Sequence, residues 1–119
     1  MAKVFVWKDK KGENEVVKGV TRTVLAKGEK LEIFLYDKEP GVVSPEHSHE
    51  HELIGLLIKG RQKAILNGEE VTIEPGMAYY IPGGELHGPF TTIGSEHSIT
   101  LDIVSPPRNI EWRSGKKIE

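Results

Sequence analysis

Residues 41–60 read GVVSPEHSHEHELIGLLIKG, and three of the chain's five histidines, His47, His49 and His51, fall at alternate positions within them. Alternate residues of an extended chain point to one side. A segment that aims three imidazoles one way and then runs into the apolar LIGLLI of residues 53–58 has a ligand-bearing end and a buried end. That arrangement suits one wall of a cup built to hold a metal ion.

Working outward, short segments rich in Val, Ile, Leu, Thr and aromatics recur along the chain. They are KVFVW, VTRTVLA, LEIFLY, HELIGLLI, RQKAIL, EEVTIE, AYYIP and HSITLDIV. Short strands at regular spacing with turn signals between them predict an all-β sandwich or barrel. Asn67-Gly68, between KAIL and EEVTI, has the two residues most tolerant of positive φ and predicts a tight hairpin. Pro75-Gly76 marks another turn. No segment carries a helical period, although PPRNIEWRSG has room for a single turn. The 13 glycines and 7 prolines are spread along the chain, so residues 1–119 are expected to form a single domain.

A second pattern follows the first. From Gly41, five residues lead to His47, one more separates His49, and the block closes at Gly60. GMAYYIPGGELHGPFT then runs from Gly76 through Pro82 and Gly84 to His87. In order and spacing, the two blocks resemble the paired motifs of the cupins, G-x5-H-x-H-x3,4-E-x6-G and G-x5-P-x-G-x2-H-x3-N. The resemblance implies a double-stranded β-helix, or jelly-roll barrel. It also implies one divalent transition metal, such as Ni, Zn, Mn, Fe or Cu, held by His47, His49 and His87. The residue chemistry points the same way. Two histidines at i and i+2 reach one face, and a third arriving from a neighbouring strand completes a half-shell of nitrogen donors.

The chain departs from the family pattern at position 53, where Leu53 replaces the expected carboxylate or amide ligand. His51 shares the parity of His47 and His49 and is the preferred fourth ligand; it could equally contact substrate. Glu52 offers the right donor type, but strand alternation sends it outward unless a bulge intervenes. Water is the remaining candidate. Thr91 stands where the second motif ends in Asn, a change read as structural. His97, on the face of Ile99, is not expected to ligate. Tyr79, Tyr80 and Trp112 are read as core or subunit contacts, and the charged run Lys8–Lys11 as a solvated loop.

The stretch LDIVSPPR, residues 101–108, narrows the resemblance. A strand carrying an inward acid, then Ser-Pro-Pro and Arg, is similar to the end of the pectin-degradation cupins, which linearise cyclic unsaturated uronates. HSHEHEL of residues 47–53 is close to their HSHPHEQ. The resemblance places a pocket acid at Asp102 and a pocket arginine at Arg108. It also places their aromatic at Val104 and their shell-completing Gln at Leu53, two positions this chain alters.

Composition limits the alternatives. A net charge of −2 gives no footprint for nucleic acid or an anionic membrane surface. The absence of cysteine removes disulfides and thiolate ligands. No run is long enough to span a bilayer and the N-terminus lacks a signal-peptide core, so a cytoplasmic address and a small-molecule substrate are the expectations. Many Lys and Glu beside few Asn and Gln hint at a thermophile. In SITLDIV, Ile99, Leu101 and Ile103 make one greasy face, and Ser98, Thr100, Asp102 and Val104 a mixed one. The greasy face needs a cover, either the N-terminal segment or a second copy, and a homodimer is expected. Three functions remain open: a metal-dependent enzyme that isomerises or opens a sugar acid, a metal-dependent oxygenase, and a binding module. Fold alone does not choose among them.

Overall fold

Period-two burial runs through the strands of a computed structural model of the chain, which describes residues 1–8, 14–108 and 116–118. Twelve strands follow in order: β1 (Val4–Val6), β2 (Asn14–Val17), β3 (Val20–Lys27), β4 (Glu32–Lys38), β5 (Val43–Ser44), β6 (Glu52–Lys59), β7 (Arg61–Leu66), β8 (Glu69–Ile73), β9 (Ala78–Ile81), β10 (Phe90–Ile93), β11 (Ser98–Ser105) and β12 (Lys116–Ile118). All pairings are antiparallel. A six-stranded sheet of order β2-β3-β4-β11-β6-β9 and a four-stranded sheet of order β5-β10-β7-β8 form the jelly roll, and β1 pairs with β12 alongside. No helix occurs among the described residues.

Alternation decides which side chains enter the barrel. On β6, Leu53 and Leu57 are buried while Ile54 and Ile58 are exposed. On β11, Ser98, Thr100 and Val104 are buried, so the mixed face of that strand is the inner one. Phe34, Leu53, Leu57, Ala64, Ile81 and Phe90 form the centre of the core. A buried polar set sits beside it, where Gln62 Nε2 donates to Ser98 Oγ at 3.0 Å and Thr92 Oγ1 lies 2.9 Å from that hydroxyl.

The outer face of the six-stranded sheet is the greasy one. Phe5 and Trp7 line a groove with Ile33, Leu35, Ile58 and Ile99, so the N-terminal segment supplies part of the cover. Ile54 and Ile58 still keep 45% and 52% of their surface. Lys8 is exposed; Lys10, Lys11 and Trp112, and most of the turn expected near the C-terminus, lie outside the described residues.

The turns behave as their residues require. Asn67 and Gly68 take φ of 54° and 78°, the paired positive values of a two-residue hairpin between β7 and β8. Gly60, at φ 78°, turns the chain between β6 and β7. A Cβ there would collide with the His97 carbonyl oxygen and the Ser98 Cα. Gly60→Ala is therefore expected to cost about 2–4 kcal/mol, from left-handed strain plus the backbone clash. The urea midpoint of the purified variant measures this, and an unchanged midpoint would contradict the packing described.

Candidate metal centre and its cavity

Two loops meet at the mouth of the barrel through their backbones. His47 N–H donates to His87 O and His87 N–H to His47 O, both at 2.9 Å, forming an isolated antiparallel bridge. Gly84 N–H donates to His49 O at 2.7 Å. Gly83 packs so tightly beside the Glu50 carbonyl that a Cβ would not fit. The spaced glycines of the second motif thus let its loop lie flat on the first.

This docking gathers the imidazoles. His47, His49 and His87 each bring one ring nitrogen within 4.8 Å of the others. Their ring centroids are 4.4 Å apart for His47–His87, 4.7 Å for His49–His87 and 5.4 Å for His47–His49. In each ring Nδ1 lies against a nearby carbonyl: Pro45 O at 2.8 Å, His51 O at 3.2 Å and Glu85 O at 2.9 Å, respectively. A carbonyl only accepts, so each Nδ1 carries the proton and each Nε2 keeps a free lone pair. Burial lowers the pKa of His49 and His87 from the usual imidazole value. Three clustered ring nitrogens, each ring held by its Nδ1, fit a divalent transition ion.

The alternatives for the fourth donor separate clearly. Leu53 is buried in the core. Glu52 is exposed, paired with Ser105 on β11, and no bulge turns it inward. His51 lines the same cavity, is buried, and stacks on His49 with centroids 3.8 Å apart and planes at 13°. It stands outside the three-residue cluster. Its Nε2 is buried without a partner among the described residues, and burial, then neighbouring His49, brings its pKa down to about 4. His97 lies apart, 2.7 Å from Asp37 Oδ1 on the exposed outer face.

Below the histidines is a cavity of about 250 Å³, lined also by Leu53, Tyr79, Asp102, Val104 and Arg108. Asp102 lies opposite Gly55 on β6, and Gly55 opposite Tyr79 on β9. A Cβ at residue 55 would strike the Tyr79 ring near its hydroxyl. The missing side chain is what allows the Tyr79 ring to cross the strand toward Asp102, on whose carboxyl it acts. Oδ1 of Asp102 is buried with no partner among the described residues. Burial raises the Asp102 pKa to about 6, against the opposing pull of Lys38, Tyr79 and Arg108. Lys38, hydrogen bonded to Ser44 Oγ at 3.0 Å, is itself shifted down by burial. Arg108 is held by its backbone, whose N–H donates to the buried Glu32 Oε1 at 2.7 Å.

Asp102 and Arg108 thus share one cavity with the three imidazoles. Sequence reasoning missed Lys38, Tyr36 and Arg22, which line the same space; it took Tyr79 for core or interface, and Tyr79 both packs against the core and lines the cavity. Gly55, a glycine inside an apolar strand, was the available signal for Tyr79.

Comparison with known proteins bears on this arrangement. The Cupin domain family profile matches residues 34–104. Auxin-binding protein T92 from Nicotiana tabacum is 27% identical over 110 residues, covering 80% of this chain; the chain spans about 59% of that curated relative's length. The structure of KdgF from a Halomonas species superposes with a TM-score of 0.83 at 26% identity, covering 92% of this chain and 97% of that one. The polyketide cyclase RemF from Streptomyces resistomycificus gives 0.75 at 26% identity, covering 92% and 83%.

Chelator-treated protein titrated calorimetrically with Zn(II) or Ni(II) is expected to bind one ion per chain. His87→Ala is expected to weaken that binding by about 100-fold or more while the far-UV spectrum stays that of the parent. Unchanged affinity in the variant would contradict the site.

Proposed function

The chain belongs to the Cupin domain family, and from that premise we propose that it is a metal-dependent enzyme that opens the ring of an unsaturated uronate-like sugar acid. The observation that carries this reading is the shared cavity: Asp102 and Arg108 line the space into which His47, His49 and His87 face. The likeness of residues 101–108 to the uronate-linearising cupins supports it, as does the structural similarity to KdgF.

His47, His49 and His87 would hold the ion, and His51, with its free Nε2, is the residue we assign to the fourth position. A bound divalent ion supplies Lewis acidity toward a substrate oxygen. The remaining steps belong to the chain. Arg108 binds the carboxylate with its planar fork. Asp102 removes the proton of the anomeric hydroxyl, the bond from the anomeric carbon to the ring oxygen breaks, and an aldehyde and an enolate result. Asp102 returns that same proton to the enolate carbon, giving the open-chain keto-aldehyde with no oxidant consumed. Leu53 and Val104 wall the cavity with apolar surface and keep water from the proton path.

A second reading has its own observation. A cluster of three imidazoles with Leu53 in place of a carboxylate suits iron or copper chemistry on dioxygen. Oxygen uptake by iron-loaded protein with phenols or diketones would favour it over ring opening. For assembly, we propose pairing of two copies through Ile54, Ile58 and the surrounding outer face, which a single chain leaves partly bare. Sedimentation equilibrium is then expected to give twice the 13.3 kDa chain mass, and one chain mass would contradict it.

Asp102 gives the reaction a pH signature. Acting first as a base, it is expected to produce a rate that rises with pH through about 6. Its folded-state pKa is raised above the model-compound 3.8, so the folded chain holds this proton more tightly than the unfolded one and stability falls as pH rises from 3.8 to about 6. Asp102→Asn should therefore stabilise the protein at pH 7, by on the order of 1–3 kcal/mol, while removing turnover of unsaturated uronates. Wild-type turnover in Asp102→Asn would overturn the assignment.

A further inference from the structure

Arg22 is an inward-facing cation on β3. It lies between Val20 and Val24, both buried, and directly opposite Tyr36 on β4. A charged side chain aimed into a barrel calls for a partner. Its Nε is buried and unpartnered, and among the described residues no carboxylate lies within ion-pair distance of its guanidinium. Arg108 comes to the same place from the other direction. Its Nη1 is 3.4 Å from the Tyr36 hydroxyl, on which Arg22 also acts. Both guanidinium carbons stand 5.9 Å from the centre of the Phe34 ring. Two like charges are thus brought around one hydroxyl, at the edge of the cavity.

The other charged groups lining the cavity have partners. Lys38 is bound to Ser44, lies 5.8 Å from the Tyr36 ring centre and 5.7 Å from that of Phe90, and acts on Asp102. Asp102 is the one carboxylate among the described lining residues, and Tyr79 acts on it. Glu32 lies outside the lining and accepts the Arg108 backbone N–H. Among the described residues no carboxylate forms an ion pair with Arg22 or Arg108, although Asp102 acts on both Arg108 and Tyr36.

We infer that Arg22 and Arg108, with the Tyr36 hydroxyl between them, form a two-armed seat for the carboxylate of the substrate, and that Arg22 sets the preference for an acid over a neutral sugar. The inference rests on the reading of the cavity as a sugar-acid site and adds a second arm to the grip assigned to Arg108. A carboxylate has two oxygens with several lone pairs, and two planar guanidiniums can fork onto it from separate strands. A neutral sugar would leave Arg22 with no charged partner among the described residues and Arg108 with Asp102 alone.

Calorimetric binding to metal-loaded protein tests this without turnover, using D-galacturonate, D-galactose and succinate as probes. The wild type is expected to bind galacturonate at least ~10-fold more tightly than galactose. Arg22→Gln is expected to lose about 10-fold or more of galacturonate affinity, with galactose binding and metal content unchanged. Arg22→Lys, which keeps the charge but not the fork, should fall between the two, and it serves as the working variant if the first does not fold. A seat that takes succinate while galacturonate does not bind would uphold the anion site and sink only the sugar-acid reading. Wild-type galacturonate preference in both Arg22 variants, or no preference for an acid in the parent, would overturn the inference.

Discussion

The pair of hydrogen bonds between the backbones of His47 and His87 is the contact on which the rest depends. It joins the loop before β6 to the loop before β10, and so joins two sheets whose strands are far apart in sequence. Once that bridge forms, His49 accepts from Gly84, and the two loops lie against each other with no side chain between Gly83 and the Glu50 carbonyl. The imidazoles then have little freedom. Each Nδ1 is tied to a carbonyl two residues away, which turns each Nε2 toward the centre. The candidate metal site is a product of backbone docking, which fixes where its rings lie.

The barrel interior is arranged around a second constraint, a row of polar groups that an apolar core would not need. Asp102, Tyr79, Lys38, Tyr36 and Arg22 occupy inward positions on neighbouring strands of the six-stranded sheet. Gly55 is the gap that lets the row close, because any larger residue there would push the Tyr79 ring away from Asp102. A carboxyl with its pKa raised to about 6 by burial is a cost to the fold at neutral pH. Such a cost is characteristic of a group kept for proton transfer. The apolar Leu53 and Val104 line the same cavity beside its charged groups.

Much of this was legible from residue order. Long strands with a clear period of two, such as β6, β7 and β11, were identified close to their bounds, and Asn67-Gly68 specified its hairpin through two positive φ values. Some of the short strands were not seen, β5 and β10 among them. Val43–Ser44 and Phe90–Ile93 are too brief and mixed to show a period, and they exist because β7 and β10 supply partners. The imidazole set was legible because i, i+2 spacing on one segment and a lone histidine in the second motif carry their own geometry. Arg22, Tyr36, Lys38 and Tyr79 were not, since their meeting depends on the register of β3, β4, β9 and β11. Register is a tertiary property, and one residue of slip would reverse every face. His51 shares the cavity as alternation requires, and its ring stacks on His49 beside the three-residue cluster.

X-ray absorption spectroscopy on zinc-loaded protein tests the central claim most directly, because it reads the atoms around the ion itself. Three or four imidazole nitrogens at about 2.0–2.1 Å, with the outer-shell scattering of the rings and one fewer ring in His87→Ala, is the result this account requires. A shell of oxygen atoms alone, or a spectrum that the His87 substitution leaves unchanged, would contradict it.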